Sequence, residues 1–239
     1  MLTSLGFEAL ATSSAGYAAS IGKKDYAVGR DGILKHIAEL VAASDLPVSA
    51  DLENGFADEP EVAAETYRLA ARAGAVGGSI EDATGREEGP IYCLEHAAAR
   101  VKAAAEAAHS LSFPFTLTAR AENYLHGRAD LKDTITRLQA YQEAGADVLY
   151  APGISTREEI AEVVRSVDRP VNVLIGMPGM TFSHAELSEM GVKRISVGSG
   201  LARAAYGTFV GAAKEMRERG TFTFTEQGVS SSEIAKLLR

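Results

Sequence analysis

In the stretch PVSADLENGF, residues 47–56, two carboxylates close an otherwise apolar run: Asp51 and Glu53 stand two apart. Positions two apart on a strand point to one face. Other apolar runs end in the same way. Glu81 and Asp82 close VGGSIED, and Arg120, Glu122 and Asn123 close FTLTARAEN. EALATSS ends in Ser13 and Ser14, followed by Ala15 and Gly16, and VLYAPG carries Tyr150. Asp51, Glu53 and Glu81 converging would repel one another unless a positive charge sat between them. An all-oxygen set without His or Cys suits Mg2+ or Mn2+ better than Zn2+. Mg2+ takes one or two carboxylates directly and keeps several waters. Arg120 offers a planar fork for a substrate carboxylate or phosphate. Backbone N–H groups around Ser13 to Gly16 can cradle an oxyanion. Together these parts describe a site for an α-oxo acid and its enolate. The plainer reading of each acid is a cap on the next helix or a partner for Arg120.

The elements that must position these residues repeat along the chain. An Ala-rich helical stretch ends near Gly and a short β run follows, as at Ala73-Gly74-Ala75, Ala144-Gly145-Ala146 and Met190-Gly191-Val192. Glycine there suits a helix C-terminus. The apolar runs EALATSS, PVSADLE, VGGSIED, FPFTLTARAE, DVLYAPG, PVNVLIG and KRISVGS read as seven strands. Between them lie helical patterns such as EPEVAAETYRLAARAG, CLEHAAARVKAAAEAAHS, DLKDTITRLQAYQEAG and TREEIAEVVRSV. Alternation of this kind means βα units and a parallel sheet. Eight such units form a (β/α)8 barrel of about 250 residues, with chemistry at the C-terminal ends of the strands. A doubly wound sheet is the competing architecture, but no G-x-G-x-x-G follows the first strand. The expected fold is therefore a TIM barrel lacking its first strand, in one domain spanning 1–239. Residues 1–6 read as the tail of a helix whose strand would precede Met1. The stretch EQGVSSSEIAKLLR reads as a short serine-capped helix.

The composition narrows the partners. The chain has 239 residues, 46% of them hydrophobic, enough for a sizeable core. A net charge of −8 disfavours nucleic acid and anionic membrane. The single cysteine, Cys93, excludes an internal disulfide, fits a reducing compartment and reads as a packed helix residue. No apolar run approaches the roughly 20 residues of a membrane span, and the N-terminus lacks a signal-peptide pattern. A cytoplasmic protein is the default expectation. His36, His96, His109, His126 and His184 show no ligand spacing and read as surface or packing residues. Gly176-Met177-Pro178-Gly179 reads as a turn, and Glu87-Glu88 as a solvated loop.

The ordered set SSAGYAAS, SADLENGF, GGSIEDATG, LTARAEN, ADVLYAPG, PVNVLIG and RISVGSGLARAAYG resembles the isocitrate lyase / phosphoenolpyruvate mutase superfamily. The resemblance runs from about residue 3 to residue 215. It implies a (β/α)8 barrel assembled as a homo-oligomer, dimer or tetramer, with exchange of the last helix. It also implies Mg2+ and an α-oxo acid, with C–C or P–C bonds made or broken beside an enolpyruvate. By position, Asp51 resembles the direct metal ligand, and Glu53 and Glu81 the acids that hold the metal through water. Arg120 resembles the arginine that binds the substrate's anionic group. Ser13, Ser14 and Ala15 resemble the segment that holds the oxo acid, and Asn123 is placed with them as a substrate-binding residue. Asp25, in GKKDYAVG, resembles an aspartate near the reacting group; Arg120, Asp25 and Glu122 are the catalytic expectations.

The departures matter as much. The family's lyases carry a Lys-Lys-Cys-Gly-His loop after the Glu81 strand, whose Cys delivers a proton. Here the loop reads ATGREEGPIY, without Cys or Lys. The lysine- and asparagine-bearing gating loop of the mutases is absent too. The chain looks most like the carboxyvinyl-carboxyphosphonate phosphorylmutase-like subgroup. Arg86, Glu87, Tyr92 and Glu122 stay open as sources of the proton. The absent front strand sets the expectation of a start downstream of the natural one. The expected activity is a Mg2+-dependent lyase for an oxaloacetate- or alkylmalate-like acid. A phosphonate or carboxyphosphonate phosphomutase, and a non-catalytic or truncated oxo-acid-binding paralogue, are the alternatives.

Overall fold

The computed structural model describes residues 1–177 and 179–238. Seven strands form its centre: β1 (Leu10–Ala11), β2 (Val48–Asp51), β3 (Gly77–Glu81), β4 (Thr116–Arg120), β5 (Val148–Tyr150), β6 (Val171–Leu174) and β7 (Arg194–Ser196). Every neighbouring pair is parallel and the spatial order equals the chain order. Among the described residues β1 and β7 do not pair, so the sheet is a curled, open half-barrel, a TIM barrel missing one strand. The helices are α1 (Ser14–Ser20), α2 (Arg30–Ala42), α3 (Pro60–Arg72), α4 (Leu94–His109), α5 (Leu131–Glu143), α6 (Arg157–Arg165), α7 (His184–Glu189), α8 (Gly200–Arg219) and α9 (Ser231–Leu237).

Local chemistry starts and stops these elements. Pro60 opens α3, where its missing N–H costs nothing. Thr156 with Glu159, Ser183 with Glu186, and Ser230 with Glu233 form capping boxes on α6, α7 and α9. Gly74 follows α3 at φ +98, and a Cβ there would come within 2.7 Å of Val41 Cγ1. Gly78 on β3 leaves room for Leu52, whose Cδ1 would meet a Cβ at 2.8 Å. The core lies between sheet and helices. Ile80, Leu117, Ala119, Leu149 and Val173 meet Ile33, Ile37, Tyr67, Leu138, Tyr141 and Ile160. Alternation along β4 sends Leu117 and Ala119 into that layer, while Thr118 and Arg120 face inside the curl. Arg194 reaches Thr118 Oγ1 there at 3.1 Å.

Several boundaries differ from the sequence expectation. The EALATSS strand stops at Ala11, because the Ser13 hydroxyl caps α1 by accepting from Gly16 N–H at 3.2 Å. The FTLTARAEN strand stops at Arg120, leaving Glu122 and Asn123 in the following loop. Residues 1–6 hold one 3-10 turn, Thr3–Leu5, ended by Gly6 at φ +85. Cys93 is not packed in a helix: it is exposed at the N-cap of α4. Of the 176–179 turn, Pro178 lies outside the described residues. Glu87 and Glu88 are exposed, as expected for a solvated loop. Within α8 only Glu215 is buried, while Leu201, Phe209 and Met216 are exposed. No described helix is long and apolar enough to cross a membrane.

Candidate active site

Arg120 ends the central strand and stands amid the acids. Its Nη1 lies 3.1 Å from Asp51 Oδ1 and 3.2 Å from Glu81 Oε2, and its Nε lies 2.7 Å from Glu122 Oε1. Strand register explains the convergence: Asp51 pairs with Ser79, Glu81 with Arg120, and Arg120 with Tyr150. The protein itself thus supplies a positive charge among Asp51, Glu81 and Glu122, while Glu53, expected to converge with Asp51 and Glu81, makes no ion pair with Arg120. The guanidinium also sits 5.2 Å from the Tyr150 ring centroid, within cation–π range. Asp51 is further bound by Ser14 N–H at 3.0 Å and Ser79 Oγ at 3.4 Å. Its own N–H donates to Thr12 Oγ1 at 2.7 Å, which ties β2 to the end of β1.

Asp51 and Glu53 do not share a face by strand alternation. β2 ends at Asp51, and Glu53 takes a left-handed φ of +50. The turn buries Glu53, and its Oε1 has no hydrogen-bond partner. Burial, then the Asp51 charge, push the Glu53 carboxyl up to about 7. Burial likewise raises Glu81 and Glu122 despite the neighbouring Arg120. Burial works against the Arg120 charge, but Glu122, Glu81 and Asp51 hold its pKa above the usual value.

Two residues of the α1–α2 loop reach this cluster. Asp25 Oδ1 accepts from the Ser14 hydroxyl at 3.1 Å and from Tyr26 N–H at 3.1 Å. The Tyr26 hydroxyl donates to Glu81 Oε1. Burial, then Glu81, push the Tyr26 phenol well up, so it stays protonated. Sequence reasoning missed Tyr26; its place beside Asp25 in GKKDYAVG was the available signal. A cleft of about 850 Å3 opens from Tyr26 and Glu53 past Val28, Phe56 and Val62 toward Asp58 and Gly85.

A buried clamp lies behind the site. Asp82 Oδ1 accepts Glu122 N–H at 2.7 Å. Its Oδ2 accepts from Arg137 Nη1 at 3.0 Å and Tyr141 OH at 2.6 Å. Asn123 is fully buried and turned into its own loop, donating to Arg128 O, Asp130 O and Thr134 Oγ1. Ser13 is spent on its cap, and Ala15 lies in the first turn of α1. Of the residues left open for proton transfer, Arg86 Nη1 is clamped on Asp58 Oδ2 at 2.7 Å. The Tyr92 hydroxyl donates to Asp58 as well. Glu122 alone of the four stands against Arg120.

Among the described residues no three His, Cys, Asp or Glu side chains form a ready ion-binding group. Arg120 takes the place between Asp51 and Glu81. The donors around it are nonetheless all oxygen, and Glu53 Oε1 is a buried acceptor without a partner. A hard divalent cation fits that donor chemistry.

Residues 1–217 match the phosphoenolpyruvate phosphomutase family. A Burkholderia cenocepacia J2315 protein described in class terms as a lyase/mutase superposes with a TM-score of 0.95 at 62% identity, covering 98% of this chain and 84% of that one. An uncharacterised Mycobacterium tuberculosis protein is 33% identical over 195 residues, which is 81% of this chain and 70% of its relative. The oxaloacetate decarboxylase of Bradyrhizobium diazoefficiens is 32% identical over 151 residues, 61% of this chain and 50% of that enzyme. Strand-end acids, the arginine among them and this match across the barrel lead to one statement: the chain belongs to the phosphoenolpyruvate phosphomutase family of the PEP mutase/isocitrate lyase superfamily.

Proposed function

We propose that this protein is a Mg2+-dependent lyase that breaks a C–C bond beside an enolpyruvate in an oxaloacetate- or alkylmalate-like acid. The observation that carries the reading is Arg120, held at once by Asp51, Glu81 and Glu122, with the unpartnered Glu53 Oε1 close by in sequence. The similarity to an oxaloacetate decarboxylase supports the substrate class. Asp51, Glu53 and Glu81 would hold the cation once Arg120 gives up its place between Asp51 and Glu81, and the cation would supply electrophilic pull on the substrate carbonyl. Arg120 is the positive group able to receive the substrate carboxylate. Glu122, bound to Arg120 Nε, sets the direction of that fork. Asp25 links Ser14 to Tyr26 and so ties the first turn of α1 to the following loop. Bond breaking leaves a pyruvate enolate, which must then gain a proton at C3. The family match gives a second reading, phosphomutase chemistry on a phosphonopyruvate-like acid.

A panel of oxaloacetate, alkylmalates and phosphonopyruvate tests this, with pyruvate release as the readout. Oxalate with Mg2+ should raise the unfolding temperature, as any ligand bound to the folded state does. Asp51→Ala should abolish both turnover and the oxalate effect. Turnover that survives Asp51→Ala would remove the metal assignment. Oxalate binding without turnover of any panel member would leave a binding protein rather than an enzyme.

A further inference from the structure

We propose that Arg194 is a specificity-determining residue, whose unpaired positive charge makes the site select a doubly charged diacid over a singly charged acid. The inference rests on the lyase reading above and adds to it the charge of the substrate.

The strands fix where this charge lies. Arg194 opens β7 and pairs in register with Asn172 on β6. Its side chain crosses the inside of the curl to two other strands. Nη1 donates to Thr118 Oγ1 at 3.1 Å and Nη2 to Ser49 Oγ at 3.5 Å. Thr118 stands two residues before Arg120 on β4, and Ser49 two before Asp51 on β2. Residues two apart share a face, and two steps of strand rise about 6.6 Å. The Arg194 guanidinium therefore lies one layer beneath the pair made by Arg120 and Asp51.

The two layers differ in charge. Arg120 is matched by Asp51, Glu81 and Glu122, so its layer holds no spare positive charge. Among the described residues Arg194 makes no ion pair; its partners are the Thr118 and Ser49 hydroxyls. Its register neighbour Asn172 is neutral too, with a buried Oδ1 that has no partner. Burial lowers the Arg194 pKa, and the group that opposes the fall is the Tyr150 phenol rather than a carboxylate. A guanidinium nonetheless keeps its proton in a protein. A positive charge drawn out of water without a counter-ion costs free energy, and a second negative charge on the bound acid offsets that cost. A mere brace between β2, β4 and β7 would use the same hydrogen bonds, but it would not sort ligands by charge.

The test compares oxalate with oxamate, which has nearly the same shape and one negative charge fewer. Each is titrated into the protein with Mg2+ by calorimetry. A unit charge about 7–8 Å away, across an effective dielectric between those of a protein surface and water, changes affinity by roughly five- to tenfold per ligand charge. Arg194→Met keeps much of the side chain's length without its charge, and should weaken oxalate by roughly five- to tenfold more than oxamate. Arg194→Lys should restore most of the preference. Thr118→Val removes an acceptor but leaves the charge, so it should keep the wild-type preference, and it decides between charge and brace if Arg194→Met fails to fold. Equal weakening of both ligands in Arg194→Met would overturn the inference, as would a preference lost in Thr118→Val or not restored by Arg194→Lys. A wild type that binds neither ligand fails the site itself, and the Arg194 role with it. A preference for oxalate that depends on Arg194, without turnover of any panel member, fails the lyase reading alone and upholds the charge selection.

Discussion

Asp82 is the side chain whose removal should be felt most widely. Its carboxylate is almost fully buried and holds three donors from two elements: Glu122 N–H after β4, and Arg137 and Tyr141 on α5. Asp82→Ala leaves the amide and the phenol without a partner, each worth about 1–3 kcal/mol when buried. It also removes the anion facing Arg137, and breaking a buried pair costs about 3–5 kcal/mol. These losses overlap. Arg137 keeps Asp133 at 2.8 Å and Tyr92 O at 3.1 Å, so its charge is not left bare. A net loss of about 3 kcal/mol is the reasoned value. Urea unfolding measures it. With a slope of about 1–3 kcal/mol per molar, the midpoint should fall by at least about 1 M. Asp82→Asn, which retains an acceptor for Glu122 N–H, should fall between wild type and Ala. A loss under about 1 kcal/mol for Asp82→Ala would refute the reasoning, because the three bonds would then be replaceable by water.

Two further outcomes are expected. Glu53 titrates at about 7 in the folded chain, through burial and then Asp51, against roughly 4.3 unfolded. In metal-free buffer its folded form therefore keeps a proton that the unfolded form has lost, and stability falls as pH rises from about 4.5 through 7. Glu53→Gln should flatten that fall in urea titrations, and an unchanged slope would take Glu53 out of the account. The exposed apolar side chains of α8, Phe209 above all, should be covered in a homo-oligomer. Light scattering should then report a dimer or tetramer for wild type and a smaller species for Phe209→Asp; a monomeric wild type would contradict this.

Much of the architecture was readable before any coordinates. Helix patterns ending in Ala-Gly and short apolar runs located all seven strands, because glycine stops and periodicity are local signals. What failed to show were events decided by side chains from elsewhere. Ser13 looks like strand continuation until its hydroxyl finds Gly16 N–H. Glu53 looks like an alternating strand residue until its backbone turns to φ +50. Asn123 reads as a substrate contact, whereas its amide bonds to the loop at Arg128 and Asp130 and to Thr134 on α5. Asp51, Glu81 and Arg120 do meet, but the guanidinium occupies the centre that sequence reasoning gave to a metal. Tyr26 was marked only by its place beside Asp25 in GKKDYAVG, and the fold of residues 21–29 brings its hydroxyl to Glu81.

The unclosed sheet has a consequence for where order is kept. A complete ring has no first strand to lose, but this one has two loose margins, at the two-residue β1 and the three-residue β7. Fraying can begin at either margin and travel inward one ladder at a time. Arg120 belongs to β4, with three strands on each side, so the guanidinium is attached to the part of the sheet that both unzipping fronts reach last.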